Sequence, residues 1–305
     1  MTEKPDTPPK TPLGKGFLRS FVRWLVIGAA LVWSLAALIL LAARWIDPPS
    51  TAVHIQRRLQ AWIHHTPYRE RYKFIPLSQI SPDLQHAVIA AEDAHFYQHH
   101  GFDWHEIQIA AENDLEVGRT RGASTITQQL VKNLFFGTGR SVLRKGAEFT
   151  LVPVAEFVLG KRRILEIYLN VVEWGPGIYG AESACRYYHG TAARSIGREQ
   201  AARLAAILPA PLKRRPERMN HYSVLILERM RQMNWLSRAA FHQSCAYCLS
   251  AGFWPDGRGF GDYHLRRRGK WRNRGGPLDY LGRLVPTDVL AVIDRLLVEK
   301  PTSQD

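Results

Sequence analysis

A mainly α-helical domain behind a single N-terminal transmembrane helix is the fold class this sequence predicts, and three observations predict it. Trp24 to Ala43 runs for twenty residues without a charge and with Ser34 as its one polar side chain. At a helical rise of 1.5 Å per residue that run spans a hydrocarbon core of about 30 Å. From residue 75 to about residue 212 the chain reads as short helices, as in the segment 83–93, where Leu84, Ala87, Val88 and Ala91 recur at 3.6-residue spacing. No long alternating run is present to build a large sheet.

The chain has 305 residues, with 41 Lys+Arg against 27 Asp+Glu, a formal net charge of +14, and is 46% apolar and 22% charged. That composition excludes a disordered acidic tail, a collagen-like polymer and a disulfide-dense miniprotein. Cys185, Cys245 and Cys248 are too few for a framework of staples. The positive balance calls for an anionic partner: nucleic acid, anionic lipid or a phosphorylated substrate.

Lys4, Lys10, Lys15, Arg19 and Arg23 precede the apolar run against Glu3 and Asp6, an excess that holds the N-terminus in the cytoplasm and puts the remainder outside. Trp24 and Trp45 bracket the run at interfacial positions, and Pro48-Pro49 end the helix. A cleaved signal peptide is the alternative, but the run exceeds the usual apolar length of about 7 to 15 residues, and Arg44-Trp45 follow at once. Outside a membrane, phosphates of lipids or lipid-linked substrates replace nucleic acid as the expected partner. The organisation expected is a cytoplasmic tail (1–23), a transmembrane helix (24–43), a linker (44–74), a helical domain (75–220) and a basic C-terminal extension of unread role (221–305).

Four segments carry the chemistry. Glu92-Asp93 stand at the end of an apolar helix face, where partial desolvation raises proton affinity and suits a carboxylate to general base work; an exposed helix end with solvated acids fits the same residues. Thr125 with Gln128 makes a capping box, so a helix should run from there to about Leu134. Ser124, Gln128 and Lys132 then form a stripe able to grip a phosphate, or a plain solvated face. Arg140, Arg144 and Glu148 repeat every four positions, either as a site or as a surface ion-pair ladder. Finally, Lys161 to Asn170, mostly core, leads into the Gly-rich stretch Trp174 to Gly180, read as a tight loop walling a cleft.

Together these segments resemble the peptidoglycan transglycosylases, in particular the monofunctional biosynthetic, membrane-anchored form. The motif E-D-x-x-F-x-x-H-x-G is met by Glu92, Asp93, Phe96, His99 and Gly101, and G-x-S-T-I-T-Q-Q-x-x-K-N by Gly122 through Asn133. R-K-x-x-E and K-x-x-I-L-E-x-Y-L-N are met by Arg144, Lys145 and Glu148 and by Lys161, Ile164 to Glu166 and Tyr168 to Asn170. The likeness covers about residues 75 to 215; Val152, Pro153, Cys185 and His189 depart from the family pattern. It implies a lysozyme-like domain against the outer face of the inner membrane that polymerises lipid II into glycan strands and releases undecaprenyl diphosphate. It implies Glu92 as the catalytic base and Glu148 as the second catalytic carboxylate. Ser124, Gln129, Lys132, Arg140, Arg144 and Asp93 then form the substrate-binding set, with Lys132 and Arg140 on the donor diphosphate. A divalent cation (Mg or Mn) held by Glu148 is a further implication, as are cell-wall synthesis or division proteins as partners.

The residue chemistry agrees. A diphosphate leaves as a stable anion, so cations matter more than a proton donor, and inversion in one displacement needs one base and no covalent sugar intermediate. Eight of the 12 histidines fall between residues 54 and 105 without metal-ligand spacing, and His99 reads as a structural hydrogen-bond partner. Cys245-x-x-Cys248 with His242 and His264 fits a local disulfide or free thiols better than zinc. A Ser-x-x-Lys transpeptidase motif is absent, and the extension is expected to end in an amphipathic helix near Thr287 to Lys300. A lytic lysozyme-like relative and an inactive scaffold are the rival readings.

Overall fold

In the computed structural model, residues 15–117, 124–139, 141–241 and 243–244 are described. The apolar run becomes the centre of α1 (Lys15–Ala43), whose segment Arg19–Ala43 is long and apolar enough to cross a membrane and is mostly exposed. The stretch expected as a linker carries secondary structure of its own. Thr51 caps α2 (Ala52–Ile63) by accepting a hydrogen bond from the His54 N–H, and β1 (Arg71–Tyr72) follows. The sequence signal was present in the apolar stripe Ile55, Leu59, Trp62 and Ile63, but the composition of residues 44–74 hid it.

The first motif-bearing helix is α3 (Pro82–Glu92), which starts on proline and buries Leu84, Ala87, Val88, Ile89 and Ala90. After α4 (Trp104–Val117) and α5 (Ile126–Val131), Lys132–Phe136 continue as one π-helical turn. The long helix α6 (Val142–Val171) is broken at Gly160, whose φ of 71° is non-helical, and carries Pro153 inside it. The tight loop expected over Trp174 to Gly180 is the turn and strands of a buried hairpin of β2 (Glu173–Gly175) and β3 (Ile178–Tyr179). β3 pairs antiparallel with β2 and parallel with β1, giving the order β1-β3-β2. The chain continues through α7 (Ala181–His189), α8 (Arg198–Ala205) and α9 (Asn220–Gln232).

The core lies where α5 packs along α6 and α3 against α8 and α9; α9 begins at the expected domain edge and belongs to this core. The described residues up to Ile107 and from Ser124 form one unit, while residues 108–117, the rest of α4, belong to another. Asn170 pins the strand entry to α6, accepting from the Ile75 N–H at 2.9 Å and donating to the Ile75 carbonyl at 2.9 Å. Glu166 accepts from the Leu77 N–H at 2.7 Å. The Lys161 to Asn170 motif is therefore scaffold, with Ile164, Leu165, Ile167, Tyr168 and Leu169 fully buried.

Helix α1 packs on α6 through Ala36, Leu40 and Ala43, and the two run in the same direction, with Trp33 beside Thr150 and Ala43 beside Arg163. Trp33 Nε1 donates to Thr150 Oγ1 at 3.0 Å, Arg44 reaches the Val158 carbonyl, and Arg163 binds the Ala43 carbonyl and Asp47. The first half of α6 thus lies beside the apolar helix, and Val142, Leu143 and Phe157 on α6 are exposed.

Candidate active site

Two motifs distant in sequence are joined through Asp93. It follows the last residue of α3, and its Oδ2 accepts the Ile126 N–H at the start of α5 at 2.9 Å. His99 Nε2 lies 2.9 Å from Asp93 Oδ1, and the Gly101 N–H donates to His99 Nδ1 at 3.1 Å. The network therefore assigns the ring proton to Nε2, donated to Asp93. Gly101, at φ 96°, admits no side chain, because a Cβ there would meet Val152 Cγ1. Its carbonyl accepts from Thr125 Oγ1 at 2.7 Å, so the cap of α5 is also tied to the first motif.

This bracket sets Glu92. Its Oε2 accepts from Gln129 Nε2 at 2.7 Å, and Gln129 Oε1 accepts from the fully buried Tyr168 hydroxyl at 2.9 Å. Glu92 Oε1 is buried and has no hydrogen-bond partner. Burial raises the Glu92 carboxyl above the usual carboxylate range, opposed by the Gln129 hydrogen bond and by Lys132 and Arg214, while Asp93 adds to the rise. Such a carboxylate holds one oxygen fixed and offers the other to a proton.

The cations come from the next two segments. Lys132 opens the π-helical turn, and burial lowers its ammonium below the usual lysine range; Glu148 and Glu92 pull it back up, while Arg144 and Lys145 press it further down. An anion placed among these groups relieves their mutual repulsion. Arg144 Nε pairs with the buried Glu148 at 3.1 Å, Lys145 Nζ pairs with it at 3.4 Å, and Arg144 Nη1 donates to the Gly137 carbonyl at 3.3 Å. The ladder reading of this segment is thereby excluded for Glu148, whose side chain is only 2% exposed.

Several expectations change. Asp93 presents no free carboxylate oxygen for substrate: both oxygens are engaged and its side chain is 2% exposed, so it acts by holding α3 to α5. Gln129 is committed to Glu92 and Tyr168 and positions the base rather than lining the cleft by itself. The phosphate-gripping stripe does not form, because Gln128 Oε1 folds back onto the Thr125 N–H at 3.0 Å and Ser124 lies before the cap, outside the helix. His99 has the structural role expected of it. Arg140 lies outside the described residues, as do Cys245, Cys248, His242, His264 and the segment Thr287 to Lys300. Cys185 is buried as a free thiol, raised to about 12 by desolvation and therefore inert.

Two residues near the base escaped sequence reasoning. Arg214 bears on Glu92 electrostatically while donating to the Ala206 carbonyl at 2.8 Å, and Tyr168 fixes Gln129. The run Lys213-Arg214-Arg215 was visible, but nothing local connected it to a glutamate more than a hundred residues away. A divalent ion does not fit Glu148 as placed. The carboxylate sits among Arg144, Lys145 and Lys132, and no group of three or more His, Cys, Asp or Glu gathers as a metal site among the described residues.

A desolvated carboxylate with one open oxygen, set near a group of cations on a helical scaffold, defines an acid–base enzyme acting on an anionic substrate. The transglycosylase family model matches residues 59–232. Biosynthetic peptidoglycan transglycosylases from Pseudomonas putida and Pseudomonas aeruginosa are similar. The first is 44% identical over 198 residues, 64% of this chain and 84% of the relative. The second is 43% identical over 220 residues, 72% of this chain and 94% of the relative. The chain belongs to the transglycosylase family.

Proposed function

We propose that the protein is a peptidoglycan glycosyltransferase that polymerises lipid II, with release of undecaprenyl diphosphate and inversion at the anomeric carbon. The observation that carries this reading is the pairing of Glu92, one oxygen held by Gln129 and the other open, with Lys132 and the Arg144–Glu148 pair in the same electrostatic neighbourhood. Glu92 Oε1 takes the proton of the acceptor's sugar hydroxyl as that oxygen attacks the donor's anomeric carbon. The donor's bond to diphosphate breaks, and the electron pair leaves on the diphosphate, where Lys132 and Arg144 stabilise the charge. Glu148 serves as the counter-ion that orders these cations. By the family resemblance Arg140 joins Lys132 on the donor diphosphate, and no step passes through a metal.

Location follows from the same features. The apolar helix α1 anchors the chain in the inner membrane with its basic flank in the cytoplasm, and the packing of α1 beside α6, the helix that carries Arg144, supports a donor diphosphate reaching these cations from the lipid. Cell-wall synthesis or division proteins are the fitting protein partners. Incubation of the detergent-solubilised full chain with labelled lipid II, followed by separation of polymer from monomer, tests the reading. Glycan polymer is expected; its absence beside an active control enzyme overturns it.

A further inference from the structure

Helix α2 lies in the stretch expected as a linker, yet it packs against the π-helical turn that carries Lys132. Gln56 Oε1 accepts the Thr138 N–H at 2.7 Å and the Thr138 Oγ1 hydroxyl at 3.2 Å. The residue before Thr138, Gly137, is the junction of the cation segment. Its N–H donates to the Lys132 carbonyl at 3.1 Å, closing the π-helical turn, and its carbonyl accepts from Arg144 Nη1 at 3.3 Å. Gly137 holds a φ of 67°, and a Cβ there would run into Gln56 Oε1, so the turn has a bare backbone where the amide approaches. Helix α2 is itself anchored: Arg57 grips Glu173 through Nε and Nη2 at 3.0–3.2 Å, and His54 packs on the Tyr179 ring at 3.8 Å.

From this geometry we infer that Gln56 is a positioning residue for the cations that hold the donor diphosphate. One amide oxygen fixes the turn whose two neighbours in space are the Lys132 backbone and the Arg144 side chain. A π-helical turn is a local irregularity that gains from such external support. Thr138 is exposed, so water can replace the amide as a partner at little cost in stability, but water leaves the turn free to shift. Displacement of a charged contact by about 1 Å suffices to cost up to about 100-fold in rate.

The inference rests on the proposed reaction, and its test separates the two. Lipid II polymerisation and thermal unfolding are measured on the full chain and on Gln56→Leu, which keeps the size and loses the acceptor. Also measured are Gln56→Glu, which keeps an acceptor, and Gln56→Asn, which is one methylene too short. The expected result is a loss of about tenfold or more in kcat for Leu and Asn, substantial recovery in Glu, and Tm values within about 3 °C of the parent. Asn carries the test should Leu disturb folding. In a Lys132→Met, Arg144→Met background, Gln56→Leu should cost less than threefold more, because both cations it positions are already gone. Parent-like kcat in Leu and Asn, or a full multiplicative loss in that double background, overturns the role of Gln56. Absence of polymer from the parent overturns the reaction itself.

Discussion

Glu92 is valuable because its two oxygens differ. Gln129 and Tyr168 form a relay of hydrogen bonds that fixes Oε2, while Oε1 is desolvated and unpartnered. Glu92→Gln keeps the shape and removes the base, so polymerisation of lipid II should fall by about 10² to 10⁴. Its stability should not fall with it. The folded-state pKa of Glu92 is raised, so the ionised carboxylate costs stability above its unfolded value, and the amide should unfold at the same temperature as the parent or a higher one at neutral pH. The acid limb of the rate profile should lie above an ordinary glutamate's range and disappear in Glu92→Gln; a limb unchanged by the substitution would assign it to another group. Lys132→Met should lose about 10² to 10³ in kcat with little change in unfolding, a loss the same assay reads.

At the scale of elements, the small sheet fastens α2 and α6 to the core. Gly180 has a φ of 82°, and a Cβ on it would stand 2.5 Å from the Asn170 carbonyl oxygen, which cannot yield because the Asn170 side chain is committed to Ile75. Gly180→Ala should cost about 2–4 kcal/mol, seen as a drop on the order of 5–10 °C in thermal unfolding. His54 is held between the Tyr72 and Tyr179 rings and faces Glu70, Arg58 and the Val171 carbonyl. Burial lowers its pKa, with Arg58 acting in the same direction and Val171 and Glu70 opposing. The unfolded chain therefore binds the proton more readily: stability is full above about pH 6.5 and falls as pH drops through the window below it. His54→Phe should flatten the decline of Tm between about pH 7 and about pH 5.5. The flattening should be partial, because His86 and His189 are lowered by burial too.

For the whole molecule, α1 is both the candidate anchor and a packing partner of α6. A chain beginning at Arg44 should remain in the supernatant after ultracentrifugation, whereas the full chain should sediment with membranes and resist carbonate extraction. Release of the full chain by carbonate would remove α1 from the membrane. The shorter chain also exposes the surface of α6 that Ala36, Leu40 and Ala43 cover, so it should need detergent to stay monodisperse.

What the sequence determined by itself was local: the apolar run of α1, the periodic face of α3, the capping box of Thr125 and Gln128, and the i,i+4 pairing of Arg144 with Glu148. Each depends on residues within one or two helical turns, where spacing alone settles geometry. Only the tertiary structure decided which polar groups were left over. Gln128 belongs to its own cap and Gln129 to a glutamate 37 positions away, though the two are adjacent amides in one motif. Asp93 and Glu92 are likewise neighbours with opposite fates, one consumed by His99 and Ile126 and the other left open. The physical reason is that a hydrogen bond removes a group from chemistry, and long-range partners are set by how helices pack rather than by spacing along the chain.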